Sequence, residues 1–125
     1  MRKNNPVILA AGIIGLVLSV SLYAQDDGAP APKGEPSGQD LAFNNKKGNC
    51  LACHLMPGVP GAVTSATIGP PLIAMKARFP DKEKLREQVA DATKINPTSA
   101  MPPFGKHQIL SDKEINKIVD FIYGI

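Results

Sequence analysis

The protein has 125 residues, which is enough for a single domain, and its formal net charge at pH 7 is +3, from 14 Lys and Arg and 11 Asp and Glu. Such a small excess of positive charge does not favour a nucleic-acid-binding protein. The aromatic residues are four Phe and two Tyr, with no Trp. A domain of ~100 residues with so few large side chains has a modest core, which a large buried prosthetic group would help to fill.

Residues 1–24 have the layout of a secretory signal peptide. Arg2 and Lys3 precede a mostly apolar run over residues 7–23, and Ala24 then offers a small residue for cleavage. An uncleaved membrane anchor is the alternative, because the run is near the lower length limit for a membrane span. Cleavage would leave 101 residues with a net charge of +1, since it removes two basic residues and no acidic one.

Residues 25–37 combine small residues with Pro and Gly, and they lack apolar periodicity. This composition predicts a flexible linker in front of a domain at residues 38–125. Ser37 and Asp40 form an S-x-x-D capping box, which predicts a short helix that runs to about Lys47. Gly48 should end that helix just before the two cysteines of the chain.

Two further helices are predicted, separated by Pro-rich and Gly-rich loops. Residues 81–93 place Leu85, Val89 and Ala92 on one face. The last helix begins after Ser111, which forms a capping box with Glu114. A stripe of apolar residues with helical spacing follows the cap: Ile115, Ile118, Val119 and Ile122. No alternating strand pattern of useful length is present, so we predict an all-α fold with three to four short helices.

The stretch C-L-A-C-H at residues 50–54 contains both cysteines. A thioredoxin-like redox pair is expected beside a βαβ pattern, which is missing here. A zinc site needs four ligands, and only His107 remains beyond this stretch. A Cys50–Cys53 disulfide stays possible in an exported protein, although so small a loop would add little stability. Covalent attachment of haem explains more, because two thiols bind the macrocycle and His54 then reaches the iron.

A second axial ligand would have to come from a distant part of the chain. Met101 lies in the proline-braced loop T-S-A-M-P-P-F-G and is the favoured candidate, because methionine opposite histidine is a known haem ligand pair. Met75 and His107 remain alternatives, and Met56 is too close to His54 to reach the opposite face. Two occupied axial positions would leave no open site for substrate, so the haem would carry electrons.

Further residues are expected around such a haem. The second ring nitrogen of His54 needs an acceptor, for which the backbone carbonyl of Gly69 or Pro70 is the natural candidate. Seven apolar residues are candidates for the haem crevice or the helix seam: Ile68, Leu72, Leu85, Val89, Phe104, Ile118 and Ile122.

The sequence resembles the class I cytochromes c, and within them the SoxX family of monohaem subunits of the sulfur-oxidising Sox system. The resemblance covers roughly residues 38–125 and rests on four stretches: G-N-C-L-A-C-H at 48–54, I-G-P-P-L at 68–72, N-P-T-S-A-M-P-P-F-G at 96–105 and L-S-D-K-E-I-N-K-I-V-D-F-I-Y-G at 110–124. It implies a class I cytochrome c fold around one covalently attached haem c. Cys50 and Cys53 would be the attachment sites, with His54 and Met101 as axial ligands.

The same resemblance implies a periplasmic heterodimer with a SoxA-like cytochrome subunit, within an L-cysteine S-thiosulfotransferase complex. That complex joins thiosulfate oxidatively to a cysteine of a SoxYZ-like carrier and releases two electrons. The catalytic cysteine would belong to the partner subunit, and a downstream soluble cytochrome would receive the electrons. The alternative is a free-standing periplasmic electron shuttle that serves an oxidase or another dehydrogenase. Five basic residues near the motifs could support such docking: Lys46, Lys47, Lys76, Arg78 and Lys106.

Overall fold

A computed structural model describes residues 34–125. The predicted signal peptide and most of the predicted linker lie outside the described residues. In the described part, no helix combines the length and the apolar character that crossing a bilayer requires. Residues 34–37 of the predicted linker are described, and the Glu35 carboxylate accepts hydrogen bonds from Lys113 and Lys117 of the last helix.

Residues 34–125 form four α-helices joined by loops, with two short 3-10 turns and no strand. The helices are α1 (Gly38–Phe43), α2 (Met75–Arg78), α3 (Lys82–Ala90) and α4 (Asp112–Tyr123), and the 3-10 turns span Cys50–Ala52 and Ala92–Lys94. The predicted all-α fold is therefore confirmed.

Both predicted capping boxes are present. The Ser37 hydroxyl accepts the Asp40 N–H at 3.1 Å, and the Ser37 N–H donates to the Asp40 carboxylate at 2.9 Å. Ser111 and Glu114 repeat this arrangement at the start of α4. Lys47 approaches the Glu114 carboxylate at 2.7 Å and is the main reason why the pKa of Glu114 is lowered to about 2. This ion pair joins the segment before the cysteines to the first turn of α4.

Three local features differ from the prediction. The helix predicted over residues 81–93 ends at Ala90, because Asp91 leaves the helical conformation with φ −154°, and Ala92 lies in the second 3-10 turn. Helix α1 ends at Phe43 rather than near Lys47, because Asn44 adopts an extended backbone conformation. The Asn44 N–H donates to the Asp40 carbonyl and forms the last hydrogen bond of the helix. Helix α2 was not predicted. It is a single turn that begins after Ala74, whose φ of 51° is in the left-handed region. A four-residue helix is too short to produce an apolar periodicity in the sequence.

Helices α1 and α4 pack closely against each other at Gly38. A Cβ at this position would lie 2.0 Å from the Lys117 carbonyl oxygen and 2.8 Å from the Phe121 Cβ, so only glycine allows this approach. Phe43 and Phe121 pack edge to face across the same contact, with ring centroids 6.0 Å apart. The contact holds the beginning and the end of the domain together.

The predicted apolar faces form the core. Each of the residues on the predicted stripes of α3 and α4 is less than 5% exposed: Leu85, Val89, Ala92, Ile115, Ile118, Val119 and Ile122. The loop that contains Met101 is attached to the end of α3, because the Ala90 carbonyl accepts the N–H groups of Gly105 at 2.9 Å and Lys106 at 3.3 Å. Helix α3 therefore supports both the core and this loop.

Replacing Gly38 tests the contact between α1 and α4. Gly38→Ala should lower the free energy of unfolding by about 3 kcal/mol, the upper part of the range for overpacking, because the new methyl group meets backbone rather than a flexible side chain. Urea unfolding followed by circular dichroism measures this change. Gly34→Ala is the matched control, since a Cβ at Gly34 has no atom within 4 Å. Equal stability of the two variants would contradict the close contact.

Candidate haem site

A cavity of about 600 Å³ opens beside α3 and α4, and its volume is within the range of ~300–1,000 Å³ that is usual for sites of small molecules and cofactors. The four residues predicted to hold haem all line this cavity: Cys50, Cys53, His54 and Met101. The seven predicted crevice residues, from Ile68 to Ile122, line it as well. The structure thus brings together residues from five separate stretches of the chain.

The cysteine pair lies on a tight turn. Asn49 adopts a left-handed conformation with φ 47°, and the Cys50 carbonyl then accepts the N–H groups of Cys53 at 3.2 Å and His54 at 2.9 Å. Both side chains are half-buried free thiols, and the structure therefore does not contain the Cys50–Cys53 disulfide that was the alternative. The turn directs both sulfur atoms and the imidazole towards one cavity.

Burial raises the pKa of the Cys50 thiol to about 11. A redox-active cysteine functions as a thiolate at neutral pH, and the burial of Cys50 opposes that form. Among residues 34–125, no group of three or more His, Cys, Asp or Glu side chains is placed to hold a metal ion. Both observations disfavour the alternatives of a redox pair and a zinc site.

The His54 ring is fixed by its backbone neighbours. Its Nδ1 lies 2.6 Å from the Pro70 carbonyl oxygen, one of the two acceptors predicted for it. A carbonyl only accepts, so Nδ1 carries the proton and Nε2 keeps a lone pair for a metal. Gly69 packs against the ring, where a Cβ would lie 2.4 Å from the imidazole Cε1. The Gly69 N–H donates to the Cys53 carbonyl at 2.8 Å, which holds this loop against the cysteine turn.

Met101 enters the cavity from the loop attached to α3. Its backbone N–H donates to the Ser99 hydroxyl at 3.2 Å, and its side chain is half-buried. Its sulfur atom lies 4.0 Å from the Nε2 of Gln88 on α3. The thioether of Met101 thus lines the cavity, and hydrogen bonds hold the backbone of the loop that carries it.

The other candidate ligands are placed differently. His107 is exposed, Met56 is buried, and neither lines the cavity. Met75 lines it and is 2% exposed, and its sulfur atom accepts a hydrogen bond from Arg78 at 3.4 Å. Of the alternatives to Met101, only Met75 is therefore near the candidate site.

Among the polar residues of the cavity wall that were not predicted as haem-site residues are Arg78 and Gln88. Arg78 donates to the Pro71 carbonyl at 2.7 Å, next to the loop that orients His54. Gln88 occupies a position on the apolar stripe of α3, between Leu85 and Val89 in the helical repeat. The sequence does contain a signal for Gln88. A polar residue on the apolar stripe of a helix indicates that a polar group lies next to it in the cavity wall.

These residues fit a covalently bound haem. Two free thiols three positions apart can tether a macrocycle, an oriented imidazole can ligate iron from one side, and a thioether belongs to the same cavity. The surrounding wall is largely apolar, as a porphyrin requires.

Comparisons with known proteins agree with this site. Residues 37–122 match the family model described as cytochrome C oxidase, cbb3-type, subunit III. The crystal structure of SoxXA from P. pantotrophus contains a chain that is similar to this one, with 27% identity and a TM-score of 0.62. The superposed part covers 72% of this chain and 82% of that one.

An uncharacterized lipoprotein of Aquifex aeolicus (strain VF5) is 34% identical over 79 residues, which is 63% of this chain. The matched part is 37% of that relative, so the chain spans little more than a third of the relative's length.

The predicted class I cytochrome c fold and the resemblance to SoxX are thereby confirmed, and the cytochrome c domain supports haem c binding and a role in electron transfer. The family model matches more than half of the sequence, and the chain belongs to the family of cytochromes that it describes, the cbb3-type cytochrome c oxidase subunit III family.

Proposed function

We propose that this protein is a monohaem c-type cytochrome, and that it is the electron-accepting subunit of a periplasmic complex that conjugates thiosulfate oxidatively to a cysteine of a carrier protein. The single observation that carries the haem site is the convergence of Cys50, Cys53, His54 and Met101 on one largely apolar cavity. Under this proposal residues 1–24 are an export signal, residues 25–37 a linker and residues 38–125 the cytochrome domain.

Each site residue has a defined task in this proposal. Cys50 and Cys53 hold the single haem c through thioether bonds, which prevent its loss. His54 ligates iron through Nε2, because its Nδ1–H is engaged by the Pro70 carbonyl. Met101 would supply the second iron ligand, and a methionine ligand is one way in which proteins raise the reduction potential of haem. Bound haem would supply a one-electron carrier, and the largely apolar wall would exclude water from the part of it that it contacts.

The role in sulfur oxidation is supported by the similarity to a chain of SoxXA. Conjugation of thiosulfate to a carrier thiol forms one S–S bond and releases two electrons and one proton. Both thiols of this chain are used for haem attachment, so the sulfur chemistry belongs to a SoxA-like partner and a SoxYZ-like carrier. This subunit accepts the electrons one at a time and passes them to a downstream soluble cytochrome.

A free-standing shuttle that serves an oxidase is the second candidate, and the description of the family as an oxidase subunit supports it. Two of the five basic residues named for such docking, Lys47 and Lys106, support it less. Lys47 is paired with Glu114, and Lys106 lies 3.8 Å from the Asp91 carboxylate. Lysines whose charge is already compensated contribute little to steering towards an acidic partner.

Gly69→Ala tests the orientation of His54. The added Cβ would lie 2.4 Å from Cε1, 2.7 Å from Nδ1 and 2.8 Å from Nε2 of the ring, so the imidazole has to leave the Pro70 carbonyl or the loop has to move. We expect a lower haem content per protein and a free energy of unfolding lower by about 1–3 kcal/mol. Gly124→Ala is the control, because its Cβ would make ordinary contacts. Unchanged haem content and absorbance in Gly69→Ala would refute this role.

Met101→Ala tests the distal ligand. In the oxidised protein it should abolish the absorption band that arises from charge transfer between methionine sulfur and ferric iron, while the covalent haem mass is retained. Met75→Leu and His107→Ala should keep the band. Loss of the band in Met75→Leu and its persistence in Met101→Ala would assign the ligand to Met75 instead.

The function is tested on the full-length protein isolated from the periplasm of its own host. We expect co-purification with a second haem protein in equal amounts, and reduction of the haem absorbance by thiosulfate only when the carrier protein is added. The preparation without carrier is the control. A monomer that is oxidised directly by a terminal oxidase and does not respond to thiosulfate plus carrier would favour the shuttle.

A further inference from the structure

A long stretch of this chain has no charged side chain. Residues 48–75 contain no Asp, Glu, Lys or Arg, although these residues make up 20% of the chain and a stretch of this length would hold about five or six of them. Among residues 34–125, Arg78 is the charged residue whose side chain hydrogen-bonds to this stretch, at the Pro71 carbonyl and the Met75 sulfur. We call residues 48–75 the uncharged segment.

The uncharged segment exposes large apolar side chains to solvent. Three of the five such side chains found among residues 34–125 belong to it: Val63, Ile68 and Ile73, which are 91%, 75% and 47% exposed. Exposed apolar side chains grouped where charged residues are depleted are characteristic of the central part of a protein–protein interface. Solubility alone gives no reason for this combination.

The exposed part of the uncharged segment is held in place along the cysteine turn. Three hydrogen bonds of 2.8 Å join the two stretches: the Thr64 hydroxyl to the Leu51 carbonyl, the Gly69 N–H to the Cys53 carbonyl and the Leu72 N–H to the Leu55 carbonyl. A surface that is fixed before a partner arrives loses little conformational freedom on binding. This part of the chain is therefore organised in advance for contact.

The same surface continues into the wall of the candidate haem site. Ile68 lines the cavity and is also exposed, and Gly69 and Pro70 line the cavity directly after it. A protein that covered Ile68 would therefore lie at the edge of the haem site. Transfer of single electrons between two haem proteins requires such a close approach.

We propose that the exposed part of the uncharged segment, residues 63–73, is the surface that binds the SoxA-like haem subunit of the proposed complex, and that the matching surface of that subunit is apolar and uncharged. The inference rests on the proposed function and adds to it the place and the chemistry of the contact. It is supported by the similarity of this chain to a chain of SoxXA, together with the position of the surface beside the cavity.

The lack of charge favours this occupant over two others. A charged partner surface would lose its hydration at residues 63–73 without gaining an ion pair. Transient redox partners that rely on electrostatic steering need complementary charges, and an anionic membrane surface attracts Lys and Arg side chains. The uncharged segment offers neither kind of attraction.

The test measures the affinity of the full-length holoprotein for the separately purified SoxA-like subunit of the same host. Val63→Asp and Ile73→Asp each place a charge on the proposed surface, and neither residue lines the cavity. Ile95→Asp is the matched control, because Ile95 is 64% exposed, does not line the cavity and lies outside the uncharged segment. Haem content and circular dichroism show that each variant is folded and loaded.

Isothermal titration calorimetry should show that Val63→Asp and Ile73→Asp each raise the dissociation constant by at least about tenfold, as expected for side chains near the centre of an interface. Ile95→Asp should stay within about twofold of the parent protein. The dissociation constant of the parent should also change less than about threefold between about 0.1 M and about 1 M NaCl, because screening has little effect on an uncharged contact.

Equal binding by the parent protein and by the variants of Val63 and Ile73 would refute this surface and leave the proposed complex intact. A steep loss of affinity with salt would refute the uncharged contact in the same way. A parent protein that does not bind the SoxA-like subunit at all would refute the proposed complex together with this inference. Self-association of the parent, or its flotation with phosphatidylcholine vesicles, that is lost in Val63→Asp would assign the surface to a second copy or to lipid and overturn the inference.

Discussion

The core of this domain and the wall of its cavity share a large part of their residues. Leu72, Leu85, Val89, Phe104, Ile118 and Ile122 are each less than 8% exposed and also line the cavity. With short helices and long loops, the described chain has few other apolar faces to bury. Stability and cofactor binding therefore depend on one set of contacts, because a change in any of these side chains alters the packing of the helices and the shape of the site together.

Two glycines set the distances within this arrangement. Gly38 lets α1 approach the backbone of α4, which closes the domain between its beginning and its end. Gly69 lets a loop lie directly against the imidazole of His54, which fixes the plane of the ring and the nitrogen that remains free. In both places the absence of a side chain is what the contact requires. The packing of α1 against α4 and the orientation of His54 thus each depend on a glycine that lets two parts of the chain approach closely.

Features that depend on local patterns were predictable from the sequence. The capping boxes at Ser37 and Ser111, the apolar stripe of α4 and the grouping of C-L-A-C-H with Met101 all follow from spacing or residue type, and the structure contains them. The early end of α1 and the single turn of α2 depend on the backbone conformations of Asn44 and Ala74, which no residue pattern in the sequence predicts. The choice of the Pro70 carbonyl over that of Gly69 depends on how one loop packs, which is a tertiary property.

The attachment of the Met101 loop to α3 has a consequence for the order of assembly. The cysteine turn closes through contacts among five neighbouring residues, whereas the Met101 loop needs the finished end of α3 to receive its N–H groups. Contacts between near neighbours along a chain close at a small entropic cost. The side of the cavity that carries the two thiols therefore depends on a short stretch of chain, whereas the side that carries the Met101 thioether depends on contacts between stretches that are far apart in the sequence.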